Sequence, residues 1–115
     1  MTFLGKTAIL SGAASGMGLL FAQNWAKLGG NVAMCDVNEA VLMEKVDAIN
    51  AEDGGRAIGI VCDVRDYKQV EHACQIAHDT FGSLDMVCNF AGGTAVRVLG
   101  VRGKYEEFPD VPIDV

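Results

Sequence analysis

The chain has 115 residues, enough for one domain at roughly 100–200 residues each. Half the residues are apolar and 21% are charged, which excludes a disordered chain. The net charge of −6 argues against nucleic acid or an anionic membrane as the main partner, while nucleotide-sized anions stay open, because backbone amides bind them without net positive charge.

No apolar run reaches the length of a transmembrane helix. The start of the chain, with Lys6 and an apolar stretch broken by Ser11, Gly12 and Ser15, reads as a first strand and not as a signal peptide. Lys6–Ser11 is that short apolar run. Met17, Leu20, Phe21, Trp25 and Leu28 then recur at helical spacing until Gly29-Gly30. Asn31–Asp36 is a second apolar run. Asn38 caps a predicted helix with the stripe Leu42, Val46 and Ile49, ended by Gly54-Gly55. Arg56–Cys62 is a third strand. Asp66 and Gln69 have the spacing of a capping box ahead of the stripe Val70, Ala73, Cys74, Ala77 and Phe81. Gly82 stops that helix, and Leu84–Ala91 is a fourth strand.

Strands that are apolar throughout belong inside a sheet covered on both faces. Helices between them imply right-handed crossovers and parallel pairing. The prediction is an α/β fold: a doubly wound, Rossmann-like parallel sheet of order 3-2-1-4 in three α/β/α layers over residues 1–93. Beyond Gly93 the periodicity fails, and residues 94–115, with Gly100, Gly103, Pro109 and Pro112, read as irregular loop or tail. The fourth strand would lie at a sheet edge, and a long apolar edge invites association.

The turn after the first strand, Ser11-Gly12-Ala13-Ala14-Ser15-Gly16-Met17-Gly18, stands where a dinucleotide-binding fold wraps a pyrophosphate. Gly12 permits the sharp turn, Gly16 permits close backbone approach, and Gly18 permits close packing of the helix. The first-turn amides and the helix dipole then favour negative charge. A glycine loop alone is weak evidence. Asp36 strengthens it, because it ends the second strand at about the interval expected of a carboxylate that accepts from the adenosine ribose. No lysine or arginine flanks it in Cys35-Asp36-Val37-Asn38, so NAD is favoured over NADP. Asp63 ends the third strand and emerges on the same edge, where it could accept from an adenine amino group. A strand-end cap is the plainer alternative for both aspartates.

Together, Ser11–Gly18, Asp36, Cys62-Asp63-Val64 and Leu84–Gly92 (LDMVCNFAG) resemble the short-chain dehydrogenases/reductases over about residues 5–93. The resemblance implies that Gly12, Ser15, Gly16, Met17 and Gly18 line the pyrophosphate. It implies further that Asp36 binds the ribose, Asp63 and Val64 hold the adenine, and Asn89, Ala91 and Gly92 border the nicotinamide side. Ser11 stands where the family has threonine, and Phe90 where it has a second asparagine. The family's chemistry uses a tyrosine with a lysine four residues later. Here Tyr67 is followed at that interval by Glu71, and Tyr105 by Pro109, so no catalytic residue is assigned within the chain.

The remaining residues have structural readings. Trp25 and Phe21 are core, and His72 and His78 are exposed helix positions. Glu44, Lys45 and Asp47 form a solvated face, and Arg97, Arg102 and Lys104 a solvated loop. Cys35, Cys62, Cys74 and Cys88 lack C-x-x-C spacing and read as buried small hydrophobes of a reducing compartment, not a metal site. The expectation is a cytoplasmic, NAD-dependent oxidoreductase acting on a small alcohol or carbonyl compound, homo-oligomeric if a catalytic half is present. The alternative is a catalytically inactive, truncated module that binds NAD or pairs with another subunit. A methyltransferase-like fold is disfavoured by the wide Gly12–Gly16 gap.

Overall fold

The structure, a computed structural model, describes residues 2–54 and 56–90. Strands and helices alternate: β1 (Thr7–Ser11), α1 (Gly16–Lys27), β2 (Asn31–Asp36), α2 (Glu39–Asn50), β3 (Ala57–Val61), α3 (Tyr67–Phe81) and β4 (Met86–Asn89). Every strand pair is parallel and the order is β3-β2-β1-β4, as the alternation of apolar runs and helical stripes predicts. The predicted tail, residues 94–115, lies outside the described residues, as do Ala91 and Gly92.

Period-two alternation along the strands sorts their side chains into two cores. Ala8 and Leu10 of β1 and Val32 and Met34 of β2 face α1 and α2, where they meet Ala22, Trp25, Leu42 and Val46. Ile9, Ala33 and Cys35 face the other way, onto Ala73 and Ala77 of α3. The result is the three-layer arrangement. Among the described residues, however, only β1 and β2 are buried on both faces. β3 is partly exposed along most of its length, and in β4 Met86, Val87 and Asn89 are exposed. The rule that apolar strands are covered on both sides holds for the two inner strands; among the described residues each outer strand has one neighbour and incomplete cover. β2 matches its apolar run, while the other three strands are shorter than theirs, because Lys6, Arg56, Cys62, Leu84, Asp85 and Phe90 fall outside the ladders.

Local contacts fix the ends of the elements. Trp25 closes α1 against the start of β2: its Nε1 donates to the Asn31 carbonyl at 3.0 Å, and its ring stacks on Phe3 with centroids 4.0 Å apart. The Asn38 side chain accepts from the Val41 amide at 3.2 Å and caps α2. At the far end Asn50 donates to the Ala57 carbonyl and accepts from the Ala57 amide, both at 2.8 Å, tying α2 to β3. Asp66 caps α3 as predicted, accepting from the Lys68 amide at 3.0 Å. The reciprocal half of the capping box does not form. The Asp66 amide donates to the Asp63 carbonyl, so Gln69 reaches further back and its Oε1 accepts from the Asp63 amide at 2.9 Å.

Candidate functional site

In a parallel sheet the order-reversal point lies where successive crossovers leave on opposite faces, and a crevice opens there beyond the carboxyl ends of the strands. Here that point is between β1 and β4. The register aligns Ser11 with Cys35 on one side and with Asn89 on the other, and aligns Asp36 with Val61. Gly12, Asp36, Asp63 and Asn89 therefore leave the sheet along one edge.

The turn from β1 into α1 occupies the middle of that edge. Gly12 has φ +66°, a left-handed conformation open to glycine at no steric cost. Ala13 donates its amide to the Cys35 carbonyl at 3.1 Å, and the methyls of Ala13 and Ala14 point down into the core. Ser15, Gly16 and Met17 stay exposed above it. Ser15 is the N-cap residue of α1 but makes no side-chain cap bond, and first-turn amides have no partner within their own helix. A Cβ built on Gly16 meets nothing within 4 Å, so this part of the turn borders open space. Gly18 differs from its predicted role in one respect: its missing Cβ would lie 2.2 Å from the Gly12 carbonyl oxygen. The close approach it permits is therefore onto the loop rather than onto the strand.

Asp36 is turned toward this loop. Its Oδ2 accepts from the Ala14 amide at 3.1 Å and its Oδ1 from the Asn38 amide at 3.1 Å. One strand further out, Cys62 donates its amide to the Asp36 carbonyl at 3.1 Å, which places Asp63 and the half-buried Val64 beside it. Asp63 is more engaged than its position in the sequence indicates. Oδ1 accepts from the Arg65 amide and from Arg65 Nε, both at 3.0 Å, and Oδ2 accepts from Arg65 Nη2 at 2.8 Å. These hydrogen bonds from Arg65 hold the Asp63 carboxyl down to about 2. Arg65 was not singled out from the sequence; the signal is an Asp-x-Arg step directly after a strand-terminal aspartate. Ser11 Oγ hydrogen-bonds to Asn89 Oδ1, and the Phe90 amide donates to the Ser11 carbonyl at 3.1 Å, which sets the far side of the edge.

Other groups lie away from this edge or are inert. Asp85 clamps the opposite end of the sheet, where the Thr7 amide donates to its Oδ2 at 2.8 Å and lowers its pKa. Cys35 and Cys62 are buried, Cys74 and Cys88 half-buried, and all four are free thiols. Burial pushes Cys35 up to about 12 and raises Cys62 and Cys88, so these behave as neutral small hydrophobes. His72 and His78 are exposed. Among the described residues no group of three or more His, Cys, Asp or Glu side chains is arranged to hold a metal. No helix among them is long and apolar enough to cross a membrane. An apolar groove of about 370 Å³ runs along α1 beside β4, lined by Phe3, Met17, Leu20, Phe21, Trp25 and Phe90 among others; it adjoins the turn only through Met17.

Comparison with known proteins agrees with this geometry. The family model for short chain dehydrogenases matches residues 6–110. The chain is 40% identical over 103 residues to the (S)-acetoin-forming diacetyl reductase of Staphylococcus epidermidis, covering 90% of this chain and 40% of that protein. A short chain dehydrogenase/reductase from Burkholderia phymatum, crystallised with NAD, is 36% identical and superimposes with a TM-score of 0.71 over 76% of this chain and 31% of its own. A 3-ketoacyl-(acyl-carrier-protein) reductase from Brucella melitensis, crystallised with NADH, is 29% identical with a TM-score of 0.68 over 75% of this chain and 34% of its own. The chain thus spans about a third to two-fifths of the length of these relatives. Sequence match and sheet topology converge, and the chain belongs to the short-chain dehydrogenase/reductase family of oxidoreductases.

Proposed function

We propose that this chain is the cofactor-binding part of an NAD-dependent short-chain oxidoreductase acting on a small alcohol or carbonyl compound. The observation that carries this reading is the bond from the Ala14 amide to Asp36 Oδ2, which ties a strand-end carboxylate to the glycine turn. A carboxylate has about four acceptor positions. Ala14 takes one on Oδ2 and Asn38 takes one on Oδ1, so each oxygen keeps one for a vicinal diol such as the adenosine ribose. The same negative charge, with no lysine or arginine in residues 35–39, disfavours a 2′-phosphate. Gly12, Ser15, Gly16, Met17 and Gly18 would face the pyrophosphate. Asp63 and Val64 would meet the adenine, and Asn89 the nicotinamide side, with Ala91 and Gly92 assigned there from sequence alone.

A bound nicotinamide gives or accepts hydride; the residues of this chain position and orient it. No Tyr-x3-Lys pair occurs in the 115 residues, so proton transfer to the substrate is assigned to residues outside them, and alcohol oxidation by this chain by itself is expected to be undetectable. A module that binds NAD or pairs with a subunit without turnover is the second reading, favoured by the exposed Met86 and Val87 of β4.

Isothermal titration with NAD, NADP and S-adenosylmethionine tests the reading. NAD is expected to bind and NADP to bind far more weakly; equal binding of NADP overturns the role of Asp36, and binding of S-adenosylmethionine alone overturns the cofactor class. Asp36→Ala should weaken NAD by about 1–3 kcal/mol, the loss expected of a charge-assisted hydrogen bond.

A further inference from the structure

We infer that Arg65 is a positioning residue that makes the Asp63 edge selective for a base carrying an exocyclic amino group over its keto analogue. The inference rests on the proposed NAD site and goes beyond it to a residue that touches neither ribose nor phosphate there. Its basis is a count of acceptor positions. Of the roughly four lone-pair sites of a carboxylate, three on Asp63 are filled by Arg65: two on Oδ1, from the amide and Nε at 3.0 Å, and one on Oδ2, from Nη2 at 2.8 Å. One acceptor site remains, on Oδ2.

The backbone of Asp63 is held as well. Gln69 Oε1 accepts from the Asp63 amide at 2.9 Å, and the Asp66 amide donates to the Asp63 carbonyl at 3.0 Å. The Arg65 fork and amide hold the Asp63 carboxylate in one orientation, so its remaining acceptor site meets the base from a fixed direction. An amino group satisfies that acceptor. A keto oxygen in the same place meets a negative charge with no proton between them, which is the sharper penalty. Arg65 itself is highly exposed, its side chain at 88%, so its removal takes no packing from the core.

The test compares NAD with nicotinamide hypoxanthine dinucleotide, whose base carries a keto oxygen in place of the amino group and a hydrogen on the adjacent ring nitrogen. By titration the wild-type chain should prefer NAD on the order of tenfold, as expected of one hydrogen bond to a charged acceptor. In Arg65→Ala that ratio should fall to within about two- to threefold, mainly through weaker NAD. Arg65→Lys keeps the charge without the fork and should give an intermediate ratio. In an Asp63→Asn background Arg65→Ala should change the ratio no further. Loss of affinity for both dinucleotides in equal proportion, or an unchanged ratio in Arg65→Ala, overturns the inference. So does a wild type that binds both equally well, a result that leaves the NAD reading standing. A wild type that binds neither overturns the NAD reading and, with it, this one.

Discussion

Gly18 carries the tightest constraint at the site. A methyl there would stand 2.2 Å from the Gly12 carbonyl oxygen and 2.9 Å from its carbon, both backbone atoms that have no rotamer to escape into. Gly18→Ala must push α1 off the loop, and it should cost about 1–3 kcal/mol by the scale of overpacked sites, read as a lower urea midpoint with an unchanged slope. Gly16→Ala meets open space but keeps φ +59°, so it should cost less, through backbone strain alone. Sequence spacing already gives Gly16 and Gly18 different roles; what it does not give is the atom opposite each missing Cβ, open space at Gly16 and the Gly12 carbonyl at Gly18. Asp63 gives a second contrast at this scale. Its position at a strand end is legible, but its low pKa is not, since that comes from how the Arg65 side chain folds back. Its carboxyl sits at about 2 in the folded chain, below its ordinary value of 3.8. The pair therefore stabilises the fold above about pH 4, and that stabilisation is lost as pH falls toward 2. In Arg65→Ala the Asp63 carboxyl should titrate higher, moving toward the ordinary aspartate value but staying below it because the backbone amide of residue 65 still donates to it, measured by carboxyl-carbon NMR, with little change in stability at pH 7 because the pair is at the surface.

At the scale of elements, α2 shows which signals are local and which are not. Asn38 is recognisable as a cap because the bond it makes, to the Val41 amide, spans three residues. The pairing of Asn50 with both backbone groups of Ala57 crosses the turn at Gly54, and no short-range pattern announces it. It holds the start of β3 in register against β2, where the Val32 amide donates to the Arg56 carbonyl at 2.8 Å. Asn50→Ala removes both bonds and leaves two partly buried backbone groups without them; it should destabilise the chain by about 1–3 kcal/mol. Asn38→Ala should cost about 1 kcal/mol, the usual loss for a cap. Both are measurable by chemical denaturation. The larger cost at Asn50 would show that α2 is held more by its C-terminal tie to the sheet than by its own N-terminus.

For the whole molecule, the parallel order β3-β2-β1-β4 follows from the alternation of apolar runs and helical stripes, while the cover on each strand depends on neighbours that no run of residues encodes. Among the described residues β4 pairs with β1 alone, and it leaves Val87 66% and Met86 39% exposed. The apolar groove along α1 borders the same strand. Strand edge and groove together form an apolar surface of the kind that drives association. The net charge of −6 opposes contact between like copies, so salt should strengthen association by screening that repulsion. The isolated chain is therefore expected to sediment as a monomer when dilute and as larger species when concentrated, with the transition at lower protein concentration in higher salt. Val87→Lys puts a charge on the edge and should shift that transition upward without lowering NAD affinity, since Val87 lies two residues before Asn89 and outside the turn and Asp36. A wild type that stays monomeric at every concentration and salt, by analytical ultracentrifugation, would mean that the β4 edge is not an associating surface.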